Sequence, residues 1–183
     1  MSLIKLFRKT IEEGHGVITG ELKIADVPFN IELRALCESN ACGNYNKNHM
    51  CPPLVGGPDF LIAGAKQYSD VIVFSKVFTL EDSYDYDGML NGQKAFKADF
   101  YEIAVLAESV FSKPLILGVG GCELCEDCSA KNGLPCRTPI KAYASLEAYC
   151  IQVSELARLS GLDYINGTNT VTYFGSVFVK SER

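Results

Sequence analysis

The stretch Leu115-Ile-Leu-Gly-Val-Gly-Gly-Cys-Glu-Leu-Cys-Glu-Asp-Cys128 runs from an apolar segment, through glycines, into three cysteines at two-residue intervals. Leu115 to Val119 reads as a buried strand, because Pro114 breaks what precedes it and the run is short and apolar. Gly120-Gly121 then leads into a cysteine-rich loop over residues 122–144. A strand that hands directly to such a loop places reactive groups at the end of a sheet.

Elements on either side supply that sheet and its cover. Residues 89–111 form a long helix with Phe100, Ile103, Ala104, Ala107 and Phe111 on one face. Val71 to Thr79, rich in β-branched and aromatic residues, reads as a buried strand. Pro58-Asp59 opens a helix to about Tyr68, with proline in the first turn and the acid complementing the helix dipole. Residues 2–13 form a first helix capped by Ser2, with Leu3, Phe7 and Ile11 on one side and Gly14 and Gly16 at its end. Short strands are expected near Glu21–Ala25 and Phe29–Leu36. Downstream, Ser145 caps a helix running to Ser160, Gly161 takes the left-handed position after it, and Thr170–Val179 is a last strand kinked at Gly175. Strands separated by helices predict an α/β or α+β fold: a small mixed sheet flanked by helices, with two Cys-rich loops forming a metal-binding or cluster-binding lobe, all in one domain over residues 1–183.

Composition narrows the function classes. With 183 residues the chain buries a core without needing disulfides. The net charge of −5 and the lack of any Lys/Arg run argue against nucleic acid as a partner. The acidic cluster Glu81, Asp82, Asp85 and Asp87 reads as a solvated loop. No stretch is long and apolar enough to span a bilayer, and the N-terminus lacks the pattern of a signal peptide. A cytoplasmic location follows as the expectation, and there cysteines point first to metal binding or catalysis.

All eight cysteines fall in three places. Cys122, Cys125, Cys128 and Cys136 form a C-x2-C-x2-C-x7-C run. Cys37, Cys42 and Cys51 form a C-x4-C-x8-C run in a second irregular segment, Cys37–Gly57, that ends in Cys51-Pro52-Pro53. Cys150 stands on the helix that follows. Zinc is usually held by two separate pairs brought together from different segments. A loop wrapped around a cubane instead supplies one thiolate every three residues, as in bacterial ferredoxins. The spacing therefore points to [4Fe–4S] clusters, one or two, with zinc as the alternative. The three-cysteine run has an open corner. Cys150 would fill it and give two sites of four, His49 would offer a nitrogen, or the two loops would exchange ligands.

Cys150 shares a helical stripe with Leu146, Val153 and Ala157, so it points inward, as ligand or as a small buried hydrophobe. Arg137, next to Cys136, carries a fixed charge that would stabilise an anionic cluster or make a surface ion pair. Tyr45 and Lys47 have packing and solvation as their plain readings, and His15, between two glycines, reads as a surface turn. Gly118-Val-Gly-Gly121 lacks the third glycine of a dinucleotide fingerprint, since Glu123 stands there. With two histidines, a Ser–His or Cys–His hydrolase is a poor fit.

Cys42-Gly-Asn-Tyr45 leading to Cys51-Pro-Pro53, Gly121-Cys-Glu-Leu-Cys-Glu-Asp-Cys128, Pro135-Cys-Arg-Thr-Pro139 and Ser145-Leu-Glu-Ala148 together resemble, in order, the small predicted metal-binding proteins of anaerobic bacteria and archaea grouped as domain of unknown function 2284. The chain departs from that pattern in two places. Cys37 and Cys42 stand one residue further apart, and Tyr149 occupies the position after Glu-Ala where the helix cysteine is expected, which turns Cys150 by about 100° on a helix of ~3.6 residues per turn. The resemblance implies metal binding, iron–sulfur first, and brings no reaction with it. Three expectations follow: an electron carrier serving a redox protein partner, an enzyme with an open iron position in the three-cysteine loop, and a zinc-stabilised interaction module.

Overall fold

The structure, a computed structural model, describes residues 2–180. Its centre is a sheet of β1 (Ile18–Lys23), β2 (Asp70–Thr79), β3 (Leu115–Gly118), β4 (Ala144–Ser145) and β5 (Thr170–Val179), ordered β1-β2-β5-β3-β4 among the described residues. β2 and β5 are its spine, paired antiparallel from Asp70↔Val179 to Thr79↔Thr170. β1 flanks β2 and β3 flanks β5, both antiparallel, while β4 lies parallel to β3. The sheet is mixed, and the fold is the expected α/β class.

Both faces of the spine are buried, and side-chain alternation divides them. Ile72, Phe74 and Val177 face a core filled by Phe7 and Ile11 of α1 (Leu3–His15) and by Phe96, Phe100, Ile103, Ala104 and Ala107 of α4 (Tyr86–Val110). Val71, Val73 and Phe178 face the other core, with Ala65 of α3 (Pro58–Ala65), Leu146, Ile151, and Leu156 and Ala157 of α5 (Val153–Leu159). The sheet lies between two layers of helix.

Three expectations are corrected. Phe29–Leu36 is not a strand: Phe29 makes a single bridge to Ile151, and the chain then turns helical through Ile31–Leu33 into α2 (Arg34–Glu38). The Asn30 side chain accepts the Glu32 N–H and starts that turn, a local bond that competes with extension. The helix expected over Ser145–Ser160 shrinks to α5. Ahead of it, Ala144–Ser145 pairs with β3, Glu147–Tyr149 makes one tight turn, and Cys150 is left-handed at φ 59°. The bridge from Ile151 to Phe29 holds this segment out of helix. Third, Gly175 does not kink β5, whose register runs unbroken through Phe74↔Gly175. A Cβ there would stand 2.4 Å from Phe74 Cζ, so glycine is needed for close approach rather than for a bend.

The acidic loop also has internal structure. Asp85 caps α4, accepting the N–H of Gly88 at 2.8 Å and of Glu81 at 3.1 Å. His15 ends α1 and faces Asp99 at 3.4 Å, so it is more than a surface turn residue.

Two predictions follow from this frame. Gly175→Ala overpacks the Phe74 contact and lowers unfolding free energy by about 1–3 kcal/mol in a denaturant titration; no loss would show that the ring moves aside freely. The two N–H donors hold the Asp85 carboxyl below its usual range, so its contribution is present at neutral pH and is lost as pH falls through the depressed value. Asp85→Ala is therefore less stable than the parent at neutral pH, and denaturation curves of the two converge in acid.

Candidate metal centre

β3 and β4 deliver one cysteine loop to the end of the sheet, and the first cysteine segment packs against that loop. β3 ends at Gly118, whose missing side chain admits Phe100: a Cβ would lie 2.8 Å from that ring. The chain then leaves the sheet, runs through residues 119–143, and returns beside β3 as β4. Lys97 on α4 holds the departure point, donating to the Gly121 carbonyl at 3.2 Å and pairing with Glu123 at 2.8 Å. Within the loop, buried Ser129 donates to the Pro135 carbonyl at 2.7 Å, which draws Cys136 back toward Cys128.

The other loop is pinned to this one. His49 Nε2 lies 2.9 Å from the Leu134 carbonyl. The Asn44 side chain packs against Gly121, where a Cβ would come within 2.6 Å of its oxygen. Asn46 N–H donates to the Pro52 carbonyl at 2.8 Å, and buried Asn48 accepts the Met50 N–H at 3.0 Å. The Pro52–Pro53 peptide is cis.

These contacts sort the thiols into two sets. Cys122, Cys125, Cys128 and Cys136 line one narrow cavity of about 10 Å³, together with His49 and Arg137. Cys37, Cys42 and Cys51 line a second of about 340 Å³, with Asn44, Tyr45 and Gln93 among its walls. None of the eight cysteines is in a disulfide. His49, weighed above as a ligand for the three-cysteine run, stands instead at the cavity of the four-cysteine run. Cys150 is fully buried and lines neither cavity, but its thiol lies within electrostatic reach of Cys37. It reaches that place from a left-handed turn rather than a helical stripe.

Electrostatics trace the same grouping. Burial pushes the Cys122 thiol up; the Leu124 N–H opposes this, and Cys136, Cys128 and Cys125 add to it. Burial likewise raises Cys51, against a hydrogen bond with Asn48, with Cys42, Cys37 and then Cys122 contributing. Cys51 thus senses both sets, so the two cavities adjoin. Cys37 is raised by burial and pulled down by Arg34, with Cys42, Glu147 and Cys150 raising it further. Among the described residues no three His, Cys, Asp or Glu side chains are gathered closely enough to hold a single metal ion. The thiols share cavities without being drawn into the shell of one ion.

Several contributors carry no motif in the sequence. Lys97, Asn48 and Ser129 act through backbone contacts that only the folded chain defines. Arg34 had a local signal, standing one helical turn before Cys37, which the expected strand concealed.

No curated protein and no solved structure matches the chain. The family model described as a predicted metal-binding protein, domain of unknown function 2284, matches residues 20–179. With most of its length covered, and with free thiols collected at one end of its sheet, the chain belongs to this family of predicted metal-binding proteins.

Proposed function

We propose that this is an iron–sulfur protein that exchanges electrons with a redox protein partner. The observation that carries this reading is the gathering of the free thiols into two adjoining sets. Cys37, Cys42 and Cys51, with Cys150 behind Cys37, would hold a [4Fe–4S] cluster in the larger cavity. Cys122, Cys125, Cys128 and Cys136 would hold a second centre in the narrower one. The donor set fits: thiolates are the ligands such clusters take, and the C-x2-C-x2-C rhythm matches a loop wrapped on a cubane. When bound, the group supplies reversible one-electron chemistry. The chain's own residues set its surroundings, with burial of Cys51 and Cys150 excluding water and backbone turns spacing the thiols.

Zinc, at about 2.3 Å from each sulfur, requires four donors converging on one ion. The water-sized second cavity is the observation favouring a single zinc ion there, as the second reading. An open iron position for a substrate draws support from the size of the first cavity, with Gln93, Tyr45 and Glu147 around it.

A partner is favoured by the surface of the two cysteine segments and their neighbours. Leu36, Leu54, Phe60, Leu134 and Ile140 are all exposed there. Exposed apolar side chains on otherwise polar loops would suit a contact surface. The net charge of −5 suits a basic docking patch on a redox protein of the reducing cytoplasm. Among the described residues no helix is long and apolar enough to cross a membrane.

Protein purified without oxygen from iron-replete cells is expected to contain iron and acid-labile sulfide and to give a cluster EPR signal on reduction. Colourless protein with stoichiometric zinc would overturn the iron–sulfur reading. Cys128→Ser is expected to remove the second centre and leave the first, and Cys51→Ser the reverse, read as metal per chain. Loss of all metal in both variants would show one shared centre.

A further inference from the structure

Arg34 is buried in the first position of α2, only 9% exposed. Its Nη2 donates to the Ala148 carbonyl at 3.1 Å, while its Nε has no hydrogen-bond partner. No carboxylate among the described residues forms an ion pair with it. A guanidinium withdrawn from water with an orphaned N–H and no counter-ion is costly, and folds keep such a group only where something anionic meets it. The other cations near the loops differ. Lys97 is matched by Glu123 and the Gly121 carbonyl, and Arg137 is exposed to solvent.

The neighbourhood of Arg34 identifies what it would meet. Cys37 lies one helical turn further on along α2. Ala148, whose carbonyl Arg34 holds, lines the cavity shared by Cys37, Cys42 and Cys51. A metal or cluster ligated by several thiolates carries net negative charge, which is the missing counter-charge.

Resting on the reading of two thiol-held centres, we infer that Arg34 is the built-in counter-ion of the centre at Cys37, Cys42 and Cys51. Arginine suits this role because it stays charged when buried and fixes its donors in a rigid plane. A positive charge beside a cluster stabilises the reduced form, in which one more electron is present, so Arg34 raises the potential of the first centre more than that of the second.

The test uses the full chain, loaded and purified without oxygen, as parent, R34M and R34K. In R34M the first centre is expected either to be lost, with metal per chain falling by that centre's share, or to become at least tenfold harder to reduce, about 59 mV for a one-electron couple. The second centre should keep its metal and shift its potential less than the first. R34K, which retains the charge, should hold the first centre closer to the parent value. The inference is overturned if R34M keeps the metal and potential of both centres. It is also overturned if R34M and R34K lose folded protein alike, since Arg34 is then only a brace on the Ala148 carbonyl. A parent protein that binds no metal removes the two-centre reading itself, whereas unaffected variants of a loaded parent remove only the role of Arg34.

Discussion

Two parallel strands that lie side by side cannot be joined by a tight turn; the chain must leave one end, travel, and re-enter at the other. β3 and β4 impose that requirement, and residues 119–143 meet it. Most such crossovers are helices that pack on the sheet. This one is a loop with short single turns at Ser129–Asn132 and Pro139–Lys141, so its backbone bends around its own thiols. The location of four cysteines is thereby set by strand pairing, and the second loop follows because Asn44 and His49 attach to it.

Irregular loops of this length carry little apolar burial of their own to offset the entropy of ordering them. The two hydrophobic cores lie on the faces of the sheet and reach the cysteine end only through a few residues such as Met50, Val55, Val119 and Tyr143. Much of what orders this end is polar: the Lys97, Ser129, Asn48 and His49 contacts with backbone, and the packing of Asn44 on Gly121. Metal–thiolate bonds are strong enough to serve as folding energy in such a region. On the reading proposed above, the thiol-held centre and the buried Arg34 would offset each other's charge.

The elements legible in the amino-acid order were those whose patterns are local and long. The β-branched run of β2, the ten residues of β5 and the apolar face of α4 stand where periodicity placed them, Gly161 takes the left-handed position expected after a helix, and Gly16, not Gly14, ends α1. The errors share one cause. Phe29–Leu36 and Ser145–Ser160 each carry weak local preference, and the bridge Phe29↔Ile151 and the bond from Arg34 to Ala148 decide both over more than a hundred residues of separation.

Cysteine identity and spacing, fixed in the chain itself, determined that there are two loops able to present thiols in series, because turn geometry over two or three residues depends on neighbours alone. Tertiary structure decided which sulfurs share a cavity, that Cys150 comes to Cys37 from a left-handed turn, that His49 joins the other set, and that Arg34 is buried against the Ala148 carbonyl. Those are relations between segments far apart in sequence, and only the packing of the sheet and its crossover brings them within reach of one another.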